Sequence, residues 1–176
     1  MITIRCVGDL FIDVLMEDKL QELISEEMPV QKFSDCYLAL GGAGNAAWCI
    51  KRDVELIVPP RADVASLILC DLADRFSVIA RERVFRGYSC TIGWRLRIDG
   101  TVRIDVDPKS IRMPQDFDYS WDPARVVVVT DHGYCVDYLI SAVRELIKPE
   151  YQNQIVVYDG NAKSILVLQE ILERRG

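Results

Sequence analysis

Two short apolar runs limit most strongly what this chain can fold into. Ala124-Arg125-Val126-Val127-Val128-Val129-Thr130 and Gln154-Ile155-Val156-Val157-Tyr158 are rich in β-branched residues, and each leads into a helical pattern, Val136–Ile147 and Ala162–Arg175. A strand that is apolar on successive residues needs cover on both faces, which a parallel sheet between helices supplies. The two βα units therefore predict an α/β fold, a three-layer sandwich around a mainly parallel sheet.

The first half of the chain starts the same way. Ile2–Val7 is a β-branched run ending at Gly8-Asp9, and Leu10–Leu15 continues extended. Glu17–Glu27 has the apolar spacing of a short helix, Pro29–Leu40 reads as extended, and Gly41-Gly42 marks a change to a helix over Ala46–Lys51. Val54–Val58 is a strand, and Val64–Phe76 is a helix with Val64, Leu67, Ile68 and Leu72 on one face. The pattern then changes. Ser77–Phe85, Tyr88–Ile98 and Thr101–Val106 all read as strands, with Asp99-Gly100 as a two-residue hairpin turn between the last two. This predicts a mainly antiparallel flap, followed by a polar connection over Asp107–Asp122. In Trp94-Arg95-Leu96-Arg97-Ile98 basic and apolar residues alternate, so one face packs while Arg95 and Arg97 point the other way.

Composition excludes several functions. The chain has 176 residues, half of them hydrophobic, enough for one sizeable core. With 21 basic against 27 acidic residues and a net charge of −6, it has no general footprint for nucleic acid. Its apolar runs fall far short of the roughly 20 residues that cross a membrane. The first residues carry no basic leader, so the expected location is the cytoplasm. Six cysteines without a Cys-x-x-Cys pair, beside a single histidine, His132, argue against a zinc site. Most of them lie in apolar runs and read as small buried hydrophobes in a reducing compartment, ahead of any redox role.

The candidate site comes from glycines and acids. Gly41-Gly42 before Ala43-Gly44-Asn45-Ala46-Ala47 lets backbone approach a polar ligand, with Asn45 near a helix start where free N–H groups point outward. A glycine pair alone mostly makes a turn. Asp9 directly follows an apolar strand and Gly8, at the carboxyl edge where α/β sheets bind ligands, although Asp9 and Asp13 also read as a strand-end cap and an exposed charge. Asp131 reads either as a site residue or as a cap for the helix beginning near Val136 or for its own turn. His132 reads as a turn residue. Arg95, Arg97 and Arg103 read as a solvated strand face or as phosphate contacts. Asp159-Gly160-Asn161 reads as a turn and helix N-cap.

Taken in order, Val7-Gly8-Asp9 with Asp13, Gly41-Gly42-Ala43-Gly44-Asn45, the strands from Thr91 to Asp105, Thr130-Asp131-His132-Gly133 and Val157-Tyr158-Asp159 resemble the ribokinase, or phosphofructokinase-B-like, carbohydrate kinases. The layout is most similar to the heptose-phosphate kinases of that group. The resemblance implies that Asp9, Asp13, Gly41, Gly42 and Asn45 contact sugar hydroxyls and that Asp131 and Gly133 edge the site. It also implies a β-lid, with strands over about residues 10–40 and 77–106 set into a single domain spanning 1–176. The resemblance covers nearly all of this chain but only the first part of the family fold. The family's later Asn-x-x-Glu and Gly-Ala-Gly-Asp segments, the latter bearing the catalytic base, do not follow. Gly42-Ala43-Gly44-Asn45 has similar letters, but an asparagine is no proton acceptor.

The implied function is the sugar-binding part of a sugar or sugar-phosphate kinase, using ATP and Mg²⁺ only when another chain supplies the nucleotide half. The alternatives are a non-catalytic sugar-phosphate-binding subunit and a structural subunit. Whether the chain is an enzyme alone stays open, no catalytic residue or metal ligand is assigned within it, and a homo-oligomer through the lid is expected.

Overall fold

The computed structural model describes residues 3–16, 30–33, 36–51, 53–60, 63–98, 101–114, 123–161 and 165–176, with only the backbone for 30–33 and 102–105. The expected helix over 17–27, the Asp99-Gly100 turn and the side chain of Arg103 lie outside what is described.

Five parallel strands form the central sheet. β1 (Ile4–Gly8) lies between β11 (Val126–Asp131) and β5 (Val54–Val58), with β12 (Ile155–Gly160) beyond β11 and β6 (Ile79–Glu82) beyond β5. Alternate residues of these strands enter opposite layers. Cys6, Leu56, Val58 and Val128 pack with Ala43 and Ala47 of α1 (Ala43–Ile50) and with Leu69, Leu72 and Ala73 of α2 (Val64–Arg75). Val7, Ile57, Val127 and Val129 pack with Tyr138, Leu139 and Val143 of α3 (Val136–Leu146) and with Val167 and Ile171 of α4 (Ile165–Arg175). Two-sided burial is why the inner strands β1, β5 and β11 are mostly apolar, and it yields the expected three layers; on the edge strand β12, expected to be buried, Ile155 and Val157 are exposed.

A second five-stranded sheet has the order β3 (Val30–Phe33), β4 (Cys36–Gly42), β2 (Leu10–Met16), β8 (Gly93–Ile98) and β9 (Thr101–Val106). Its pairs are antiparallel except β2 with β8, which run parallel. A short antiparallel ladder joins β7 (Tyr88–Cys90) to β10 (Ser110–Arg112).

Several boundaries differ from the sequence reading. Ser77–Phe85, expected in the flap, contributes β6 to the central sheet, because Glu55–Val58 offers an open parallel edge to Ile79–Glu82. Tyr88–Ile98 breaks into β7 and β8, and β10 forms inside the expected connection. Asp159 and Gly160, expected in a turn, stay in β12 opposite Thr130 and Asp131. The inward face of α2 is shifted from the expected stripe, keeping Leu72 and part of Ile68 but not Val64 or Leu67. Ser66, Leu69, Cys70, Leu72 and Ala73 are buried, whereas Val64 and Leu67 are exposed. Small side chains at 66, 70 and 73 let this helix lie close to the sheet, and its start is fixed by a reciprocal cap in which Asp63 accepts the Ser66 N–H at 2.7 Å.

Candidate functional site

The site lies where the chain passes from one sheet to the other. β1 ends at Gly8 and β2 begins at Leu10, so Asp9 is the single residue between them. Every polar group of Asp9 is engaged. Its N–H donates to Thr130 O at 3.1 Å, and its carbonyl accepts the Ala43 N–H at 2.9 Å, which ties β1 to β11 and to the start of α1. Its carboxylate accepts three backbone N–H groups: His132 at 2.7 Å and Tyr134 at 3.3 Å on Oδ2, and Cys135 at 2.8 Å on Oδ1. Asp9 is 0% exposed. Burial raises its pKa, the three N–H groups pull it back, and the charge of Asp131 adds to the rise. Asp9, expected to contact sugar, therefore holds the protein's own backbone. From more than 120 residues earlier in the chain, it holds the turn over 132–135 that leads into α3.

Asp131 ends β11 beside it. Its Oδ1 accepts the Gly133 N–H at 2.8 Å, closing the turn, and its Oδ2 accepts the Tyr158 hydroxyl at 3.0 Å. Burial first, then the hydrogen bond to Asp131 and nearby acidic charge, push the Tyr158 hydroxyl up to about 12. Asp131 thus caps its own turn, as one of its readings has it. His132 is a turn residue, as expected, with its N–H on Asp9 and its carbonyl accepting Asn161 Nδ2 at 3.1 Å.

Asp13 sits on β2, in a different setting. In the parallel register of β2 and β8 it lies opposite Arg95. Arg95 grips it with two bonds, Nε to Oδ1 at 2.7 Å and a terminal nitrogen to Oδ2 at 3.2 Å. Arg97 Nε stands 3.5 Å from Oδ2 and, among the described residues, has no hydrogen-bond partner. The Asp13 side chain is 2% exposed, and those of Arg95 and Arg97 are 17% and 30% exposed. One carboxylate facing two guanidinium groups leaves a net positive charge at a partly open position.

Phe11 connects the two aspartates, and the sequence reading missed it. Its ring lies 4.0 Å from the Arg95 guanidinium carbon on one side and meets the edges of His132 and Tyr134 at 6.1 and 5.6 Å. The available signal was glycine on both neighbouring strands. Phe11 is opposite Gly41 of β4 and Gly93 of β8, which leave room for the ring.

Gly41 and Gly42 lie at the end of β4, with α1 starting at Ala43, three residues earlier than expected. A Cβ on Gly41 would lie 2.5 Å from an Arg95 nitrogen, 2.9 Å from Phe11 Cβ and 3.0 Å from Asp13 Oδ2, so only glycine allows this close approach. Gly42 has φ +58°, a left-handed conformation that also brings it against the Asp9 carbonyl. Asn45 occupies the first turn of α1, and its buried Oδ1 has no hydrogen-bond partner among the described residues. The structure thus groups Asp9, Asp131 and Gly42 around one turn, and Asp13, Gly41 and the two arginines around one ion pair.

The cysteines correct an expectation. Cys90 and Cys135 form a disulfide, while Cys6, Cys36, Cys49 and Cys70 remain thiols. Asp9 lies beside both sulfurs, the three ligand atoms falling within 4.8 Å of one another. The sulfurs are bonded to each other and the Asp9 oxygens hold amides, so this cluster is not arranged for a metal.

Comparison with known proteins gives the fold. No protein-family model matches the chain, and no curated protein matches it. Among solved structures, the tetrameric inhibited form of phosphofructokinase-2 from Escherichia coli matches with a TM-score of 0.53 at 14% identity, covering 98% of this chain and 58% of that one. Ribokinase from Giardia lamblia matches with a TM-score of 0.53 at 12% identity, covering 99% of this chain and 56% of that one. The fold is ribokinase-like. The chain spans little more than half the length of either structure. Among the described residues no helix is long and apolar enough to cross a membrane.

Proposed function

We propose that this chain is the sugar-binding part of a carbohydrate kinase acting on a sugar or sugar phosphate, with phosphoryl transfer from ATP completed by another chain. The observation that carries this reading is the buried Asp13 facing Arg95 and Arg97 beside Gly41, in a ribokinase-like fold. The Oδ1 of Asn45, without a hydrogen-bond partner among the described residues, offers an acceptor for a ligand hydroxyl. Arg97 is the group placed to meet an anion, which favours a phosphorylated sugar over a neutral one. In this reading Asp13, Gly41 and Asn45 contact the ligand, while Asp9, Gly42 and Asp131 frame the site.

The acidic groups here do not fit a resident Mg²⁺. Asp9, Asp13 and Asp131 each have both carboxylate oxygens engaged by N–H, guanidinium or hydroxyl donors. For the same reason no described carboxylate at this site is open to act as a base. That favours a second reading, a non-catalytic sugar-phosphate-binding subunit, for the chain by itself. A partner chain, or a second copy joined through the β-lid, is supported by exposed Ile155 and Val157 on the edge strand β12 and exposed Val106 on β9. One of the similar structures is of a tetrameric form.

Calorimetric titration with a panel of hexoses, heptoses and their phosphates tests the binding reading, with ATP and Mg²⁺ added in a parallel turnover assay. Heat with a sugar phosphate that Asn45→Ala abolishes is the expected result, without turnover by the chain alone. No heat with any sugar overturns the binding role, and turnover by the isolated chain overturns its dependence on a partner.

A further inference from the structure

The disulfide between Cys90 and Cys135 joins the short β7–β10 ladder to the start of α3. Cys90 ends β7 and Cys135 stands at the cap of α3, 45 residues later, with Cα atoms 5.9 Å apart. On the α3 side, the Cys135 N–H is one of the three amides enclosing Asp9. On the β7 side, the chain runs from Cys90 through Thr91 and Ile92 into Gly93, where β8 begins and carries Arg95 to Asp13. The β7–β10 ladder pairs with neither five-stranded sheet, and the Tyr138 N–H reaches Ser110 Oγ of β10 at 3.3 Å. The covalent bond therefore sits between the turn that closes on Asp9 and the strand that closes on Asp13.

We propose that the Cys90–Cys135 pair is a redox latch on this site, closed as the disulfide and opened by a dithiol reductant. In the opening step one thiolate of the dithiol attacks Cys90 Sγ, the bond to Cys135 breaks, and Cys135 leaves as a thiolate. The second thiolate of the dithiol then attacks the reductant sulfur of the mixed disulfide and releases Cys90. Two electrons pass to the pair, two protons follow from solvent, and the dithiol becomes a cyclic disulfide. Both sulfur-bearing residues are buried, so the exchange requires the 132–135 turn to open first. The latch is slow and responds to sustained reducing conditions.

The test uses the full chain with and without a dithiol. Thiols are alkylated in denaturant and the labelled peptides weighed. Without dithiol, Cys6, Cys36, Cys49 and Cys70 take the label while Cys90 and Cys135 do not, and with dithiol all six do. Hydrogen exchange on the two native forms shows the amides of 132–135 and of β8 exchanging about tenfold faster after reduction, with those of α2 and β5 unchanged. Labelling of all six cysteines without dithiol overturns the proposal, and so does a reduced chain that exchanges like the oxidised one or unfolds as a whole. Cys135→Ser exchanges like the reduced chain whether or not dithiol is present; if this variant does not fold, the wild-type comparison decides by itself. No sugar enters the experiment, so its outcome is separate from that of the functional reading.

Discussion

Asp9 and Asp13 lie on the same short stretch of chain, both buried, and each carboxylate is neutralised by a different kind of partner. Asp9 is held by three backbone N–H groups from one turn, Asp13 by two arginine side chains from a neighbouring strand. Backbone amides cannot leave without remaking the turn. Guanidinium groups on long stems, partly exposed, can swing toward a ligand and return. The difference separates the frame of the site from the part that can exchange partners.

The comparison breaks first under truncation. Asp9→Ala strands three amides in the turn before α3 and leaves a void, at an expected cost of about 4 kcal/mol in urea unfolding. Asp13→Ala unpairs arginines that can reach water, at an expected cost of about 2 kcal/mol. Sugar binding should respond in the other sense: Asp13→Ala loses it at full folding, whereas any folded fraction of Asp9→Ala retains its ligand contacts. Equal costs in unfolding would end the distinction between frame and binding group.

Sequence made the architecture legible and left the roles of the two aspartates unread. The strand run at Val126–Val129 carries its burial in its composition, so a parallel sheet follows from local pattern, whereas Ile155 and Val157, which read as equally buried, stay exposed because β12 is the sheet's edge strand. The turn that Asp9 holds is more than 120 residues away along the chain, and a contact of that kind leaves no local trace. Alternation in Trp94–Ile98 marked Arg95 as facing away from the apolar side, but only the β2–β8 register reveals Asp13 as its partner. α2 carries two overlapping stripes, and the sheet selects the one with smaller side chains. The disulfide joins residues 45 apart, and no spacing rule identifies it.

Titration sharpens the contrast. Burial raises the Asp9 pKa above its ordinary 3.8, so the folded state holds this proton more tightly than the unfolded chain. Its contribution to stability is fully present below 3.8 and is lost as pH rises through the folded value. Glu170 runs the other way. The hydrogen bond from Arg144 leads in holding its pKa below 4.5, so its contribution is present above that pH and fades as pH falls through the lowered value. The thermal stability of wild type relative to Asp9→Asn should therefore grow as pH falls toward 3.8, while that relative to Glu170→Gln should shrink at low pH. An Asp9 difference that shrinks with falling pH would mean that the three amides outweigh burial.

The smallest expected effect on stability belongs to Asn45. Its Oδ1 is buried without a hydrogen-bond partner among the described residues, a state that costs a folded protein about 1 kcal/mol or more. Alanine removes that atom and suits the first turn of α1 by about 0.5 kcal/mol. Asn45→Ala should thus unfold at the same urea concentration as wild type or slightly above it, and lose the heat of sugar binding. A group kept at some expense to the fold, and needed only when ligand is present, belongs with Asp13. If Asn45→Ala instead lost more than about 1 kcal/mol, a scale reserved for groups with a structural task, Asn45 would belong with Asp9 in the frame and the ligand would have to be held by the arginines.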